Sequence, residues 1–181
     1  MSASYSERAA RWRVPLGFAF TIAFLVLSQP RPALLAIGAA LALAGVALRG
    51  LAAGHLEKNE KLATAGPFRY TRNPLYLGSF ILGLGFVIAA SSWILGVAFV
   101  ALFVAVYTPS MRQEEGFLRL KFGADYESYA GAVPMFLPAP GRRLPCRGSF
   151  AWARYKRNRE YQAAIGWLAA VIFLAAKLML R

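Results

Sequence analysis

The amino-acid sequence predicts an all-α, multispan integral membrane bundle of about five transmembrane helices, one domain over residues 1–181, with a polar site at one membrane face. Three observations lead there. Hydrophobic residues make up 58% of the 181 positions and charged residues only 16%, a balance too apolar for a soluble domain. The apolar residues fall into five runs punctuated by proline, glycine and serine turns. The charged residues gather almost wholly on one side of those runs.

The first run, 14–28, follows Arg8, Arg11 and Arg13, as the core of a signal peptide would. No small-x-small cleavage site comes after it, and "QPRP" leads straight into another apolar run, so a retained span is predicted. The second run covers 32–53, the third 75–90, the fourth 93–108 and the fifth 161–180. A helix needs about 20 residues to cross the hydrocarbon core. The second and fifth meet that length. The other three fall a few residues short, which is tolerable where Trp12, Trp93 and Tyr107 sit at the interface and the helices pack together. Runs one and two form a hairpin through Pro30 and Pro32, and runs three and four a tighter one through "SSW". Ser79 and Gly83, four apart, give the third run a small-xxx-small face suited to close helix approach.

If the N-terminus is cytoplasmic, Arg31, Lys177 and Arg181 are the only basic residues outside. The other eighteen of the 21 Lys and Arg, and all eight acids, then lie inside. This is the positive-inside pattern, so the net charge of +13 reads as a topology signal and no nucleic-acid partner is expected. Cys146 is the only cysteine and His55 the only histidine. That excludes an intrachain disulfide and a cysteine-rich metal centre, and it argues against imidazole zinc sites and Ser-His-Asp triads. No metal is expected. The Ala- and Arg-rich composition points to a bacterial cytoplasmic membrane.

Two internal segments, 54–74 and 109–159, hold the polar chemistry. The first contains "GPFRYTRNPLYLG", residues 66–78, in which Gly66-Pro67 and Asn73-Pro74 are turn signals. Pro74 fits the first turn of a helix, where its missing N–H is not needed. Asn73 is then placed to cap the backbone donors of the third span. Arg69 and Arg72 read either as anchors snorkelling to headgroups or, beside a helix N-terminus, as part of a site for a carboxylate or phosphate. In the second segment Pro109 is expected to kink or break the fourth span, and an amphipathic stretch with Phe117, Leu118 and Leu120 follows. Glu115 has Arg119 four residues on and Arg112 three back, which predicts an ordinary local salt bridge. Glu114 has no such partner and is the better candidate to meet a cationic ligand. Gly123 ends the helix, Tyr126 and Tyr129 share a face, and 133–138 is extended and proline-bound. The basic run "RYKRNRE", 154–160, either orients the last span or contacts anionic headgroups.

"TAGPFRYTRNPLYLGS", then "EE", six residues and "FGADYESYAGAVPMFLP", resembles the isoprenylcysteine carboxyl methyltransferase family, which is allied to the phospholipid methyltransferases. The lead-in "GHLEKNEKL" is similar too, so the resemblance covers about 54–138. It implies a multispan helical enzyme that binds S-adenosylmethionine between the two segments at the cytoplasmic face, releases S-adenosylhomocysteine, and methylates a lipophilic acceptor entering from the bilayer. Cofactor contacts are implied for Asn73, Pro74, Tyr76, Leu77 and Gly78 of the first segment. From the second they are implied for Glu114, Glu115, Tyr126, Tyr129, Pro134 and Phe136. Arg72 and Asn73 are implied to be catalytic, with Arg72 facing the acceptor. The isoprenylcysteine enzymes usually read Arg-His-Pro where this chain has Arg72-Asn73-Pro74, and Asn-Pro is the phospholipid enzymes' form.

The residues suit that chemistry. Methyl transfer from a sulfonium is an in-line displacement that needs positioning and desolvation more than acid–base groups. Two other readings compete: an NADPH-dependent membrane reductase of the sterol reductase type, which usually carries an acid where this chain has Ser79, and a non-catalytic membrane adaptor.

Overall fold

A computed structural model describes residues 5–58, 60–138 and 148–180. Cys146 and Arg181 lie outside the described residues, as does the side chain of Trp12. Among the described residues the chain forms seven α-helices and no strand. They are α1 (Tyr5–Leu27), α2 (Pro32–His55), α3 (Pro74–Ala90), α4 (Trp93–Phe122), α5 (Ala124–Ala132), α6 (Trp152–Arg157) and α7 (Tyr161–Met179), with a single 3-10 turn at Gly66–Arg69. The predicted all-helical class holds.

Three helices, α2, α4 and α7, are long and apolar enough to cross a bilayer. The apolar part of α1, Pro15–Leu27, and α3, Pro74–Ala90, are shorter. The 17 residues of α3 rise about 25 Å, a few ångströms under the hydrocarbon thickness.

Helices α2 and α3 pack antiparallel with almost no side-chain volume between them. A Cβ on Gly45 would lie 2.5 Å from the Leu82 nitrogen and 2.7 Å from the Gly78 carbonyl oxygen, and Gly38 meets Gly85 and Ala89 in the same way. Gly38 and Gly45, like Gly78 and Gly85, are seven apart and so return to nearly one helix face. This corrects the small-xxx-small expectation. Gly83 faces the Phe99 ring of α4, and the Ser79 hydroxyl is hydrogen-bonded to Leu75 O at 2.9 Å and to Arg49.

Pro109 lies inside α4, which continues through it, so of the expected kink or break the break does not occur. A proline forfeits one backbone bond, and here the following Ser110 hydroxyl bonds back to Val106 O at 2.9 Å while the helix continues. The consequence is functional: α4 runs on past its apolar half and carries Glu114 and Glu115 on a rigid rod. Gly123 ends it with φ +51°, a conformation that favours glycine.

The two ends of the bundle differ. At one, Lys177 Nζ donates to Leu25 O at 2.6 Å, Val26 O at 3.1 Å and Ser28 Oγ at 3.1 Å, tying α7 to the C-terminal end of α1. At the other, the long loops fold over the start of α3.

Candidate functional site

The segment before α3 is stitched to the segment after α5. Arg72 N donates to Pro134 O at 2.9 Å, Thr71 Oγ1 to Met135 O at 3.3 Å, and Tyr129 Oη to Phe68 O at 2.8 Å. Asn73 Nδ2 also donates to Met135 O, at 3.0 Å, and makes no side-chain cap. The capping expectation therefore fails: with Pro74 at N1, the buried amide is used to hold the 133–136 segment instead.

Arg72 Nη1 lies 2.5 Å from Glu115 Oε1 and donates to Tyr126 Oη at 3.3 Å, while the Tyr126 hydroxyl donates to Glu115 Oε1 at 3.1 Å. The expected Glu115–Arg119 pair is replaced. Arg119 turns outward to Glu127 at 2.6 Å, leaving Glu115 to the better-desolvated arginine. Burial, and then the adjacent Glu115 carboxylate, push the Tyr126 phenol above the usual tyrosine range, with Arg72 opposing. Tyr129 is shifted the same way, chiefly by burial. Arg72 Nε is buried without a hydrogen-bond partner. Glu114 is exposed and makes no salt bridge among the described residues.

Two grooves meet at this cluster. The first, narrower one is walled by Phe68, Phe117, Leu118, Phe122, Tyr126 and Tyr129. The second, about 320 Å³, is walled by Arg49, Tyr76, Ser79, Tyr107, Asn158 and Glu160. Leu56, Lys58, Phe68, Arg72, Asn73 and Glu114 border both. A separate apolar cavity of about 290 Å³ lies among Phe20, Phe24, Phe86, Phe99 and Phe103, and it shares Tyr107 with the second groove.

Of the predicted site residues, Arg72, Asn73, Glu114, Glu115, Tyr126 and Tyr129 come together. Pro74 and Tyr76 line the second groove, and Pro134 contributes its carbonyl. Leu77 is buried beside them, Gly78 packs against Arg49 and Gly45, and Phe136 joins Phe80 and Phe103 in an aromatic cluster, so these three line neither groove.

Arg49 and Glu160 are absent from the sequence-based site. A charge inside an apolar run is a signal of function, and Arg49 in the second run carries it. The basic run 154–160 folds back instead of reaching outward as a whole. Arg154 bonds Glu57 at 2.7 Å and Gly54 O at 2.8 Å, Arg157 bonds Glu60 at 3.1 Å, and Glu160 bonds Arg49. Lys156 and Arg159 stay exposed.

The fold and site define a class: a multi-pass helical membrane protein with a two-groove polar site where its long loops cover one end of the bundle. The phospholipid methyltransferase family profile matches residues 33–125, about half of the chain, and the chain belongs to that family. It is 36% identical over 84 residues to a probable protein-S-isoprenylcysteine O-methyltransferase of Oryza sativa subsp. indica, covering 46% of this chain and 44% of that one. It is 29% identical over 99 residues to protein-S-isoprenylcysteine O-methyltransferase of Schizosaccharomyces pombe, covering 55% and 42%. It is 34% identical over 109 residues to cobalt-zinc-cadmium resistance protein CzcN of Cupriavidus metallidurans, covering 56% and 47%. The chain spans less than half the length of these relatives. No solved structure matches. The resemblance read from the two motif segments is borne out at the level of family.

Proposed function

We propose that this chain is an S-adenosylmethionine-dependent methyltransferase acting on a lipophilic acceptor at the cytoplasmic membrane face. The observation that carries the reading is the juxtaposition of an unsatisfied buried donor, Arg72 Nε, and a carboxylate with no salt bridge among the described residues, Glu114, at the junction of the grooves. A cofactor bearing a carboxylate, an ammonium and an adenine needs those two groups and an aromatic wall. The residues present fit it.

Glu114 would hold the ammonium and Arg72 Nε the carboxylate, while the aromatic first groove would take the adenine. This moves Arg72 from the acceptor side to the cofactor side, because its terminal nitrogen is already committed to Glu115 and Tyr126. When bound, the cofactor would supply an electrophilic methyl on a sulfonium, which an acceptor lone pair would take as the C–S bonding electrons pass to sulfur. The second groove holds the acceptor head, and any proton it sheds leaves to water at the mouth beside Glu114. The apolar cavity continuing past Tyr107 suits a hydrocarbon tail. Tyr126 stays protonated and keeps Arg72 and Glu115 in register.

The cytoplasmic assignment rests on the eighteen-to-three partition of basic residues. Reporters fused after Arg31 and after Arg181 are expected to read external; a cytoplasmic reading at either breaks that assignment. For the activity, purified protein in lipid nanodiscs is expected to bind S-adenosylhomocysteine and to transfer labelled methyl to a farnesylated acceptor. Binding of NADPH alone would favour the reductase reading, and binding of neither nucleotide the adaptor reading.

A further inference from the structure

Resting on the methyltransferase reading, the walls of the second groove constrain the acceptor's head group. Arg49, on α2, grips Glu160, just before α7, as a fork: Nε to Oε2 at 2.9 Å and Nη2 to Oε1 at 2.7 Å. Its Nη1 is spent on Leu75 O at 3.4 Å and on the Ser79 hydroxyl. Of the five N–H donors of a guanidinium, one outer Nη2 hydrogen is left. The Arg49 side chain is 24% exposed and that of Glu160 10%, so the pair is largely withdrawn from water.

The chain carries a net charge of +13, yet this groove does not. Arg49 is matched by Glu160, Arg72 by Glu115, and the exposed Lys58 shares the mouth with Glu114. To take Arg49 as its charge partner, a carboxylate acceptor would have to displace Glu160 and leave that buried charge unpaired, which is strongly unfavourable. Glu160 also lies beyond the stretch 33–125 that matches the family.

We propose that Glu160 is a specificity-determining residue. By neutralising Arg49 it turns the acceptor groove away from anionic heads, so the acceptor is a lipid-tailed amine, thiol or zwitterion with no net negative charge. Three acceptors sharing a farnesyl tail and ending in an amine, a thiol and a carboxylate test this in nanodiscs, with S-adenosylhomocysteine affinity read in parallel. Wild type is expected to show the lowest kcat/KM for the carboxylate. Glu160→Gln frees Arg49 and is expected to raise the carboxylate-to-thiol ratio of kcat/KM by about tenfold, the scale of one charge-assisted contact. Removing the pair as Arg49→Met/Glu160→Leu is expected to retain the wild-type order, which guards against a Glu160→Gln variant that fails to fold. A wild type that prefers the carboxylate overturns the proposal. So does a Glu160→Gln protein with intact S-adenosylhomocysteine binding and an unchanged ratio. Failure of wild type to bind S-adenosylhomocysteine would sink the methyltransferase reading itself, and this proposal with it.

Discussion

Arg72 and Glu115 face each other across 2.5 Å, one in the loop before α3 and the other on the extension of α4, with the Tyr126 hydroxyl bonded to both. Their side chains are 13% and 16% exposed, which makes each the other's main compensation for lost water. Glu115→Gln is therefore expected to destabilise the protein by about 3 kcal/mol in detergent unfolding. The double variant Arg72→Met/Glu115→Leu should recover most of that loss. A Glu115→Gln protein as stable as wild type would mean the pair is held elsewhere.

Glu114 behaves differently, since it is exposed and makes no salt bridge among the described residues. Glu114→Gln is expected to leave unfolding unchanged and to weaken S-adenosylhomocysteine binding about ten- to a hundredfold, read by calorimetry. Arg72→Lys keeps the charge but removes the buried Nε donor, and a loss of similar size is expected. Unaltered affinity in both variants would refute the cofactor assignment.

Asn73 matters as a donor. Its Nδ2–H···O contact to Met135 ties the two segments together, so Asn73→Asp, which keeps the shape and loses the donor, should be worse than Asn73→Ala. The expected cost is about 1–3 kcal/mol for a carboxylate facing a carbonyl. Asn73→His restores an N–H and should be the mildest of the three. Equal thermal stabilities across the series would show that the contact is dispensable.

The glycines divide by what surrounds them. Gly45→Ala puts a methyl into the backbone of α3 and is expected to destabilise by at least 1–3 kcal/mol, roughly the overpacking range. Gly17 and Gly166 have open space around the added carbon, and their change to Ala is expected to stabilise by about 0.5–1 kcal/mol. Thermal unfolding of the three variants side by side decides it; a tolerated Gly45→Ala would mean α2 and α3 are not in backbone contact.

Alkaline pH should loosen α5. The Tyr126 and Tyr129 phenols are raised by burial, so folding favours their protonated forms. That stabilisation is complete below the unfolded tyrosine value of about 10 and is lost as pH climbs toward the higher folded values. Phenolate absorbance should thus show two tyrosines titrating late, and Tyr126→Phe and Tyr129→Phe should each remove one. Ordinary titration of all tyrosines in folded protein would contradict the buried geometry.

The helices, their order and the two motif segments are written locally, in apolar runs, prolines and a glycine stop, because neighbouring residues alone decide where a helix starts and ends. Pro109 marks the edge of that legibility: sequence reads a kink or a break, whereas flanking turns and a Ser110 back-bond carry the helix through. Most of the residues gathered at the junction of the grooves sit in two short stretches, so they could be grouped from sequence. Which residue faces which could not be read from it. Local spacing assigned Glu115 to Arg119, but the loop before α3 brings Arg72 closer in a drier place, and charge pairing follows desolvation more than sequence distance. Arg49 and Glu160, 111 residues apart, meet only because α7 lies against α2. No pattern along the chain encodes that neighbour, because a side chain's environment is fixed by packing, and packing is a property of the whole fold.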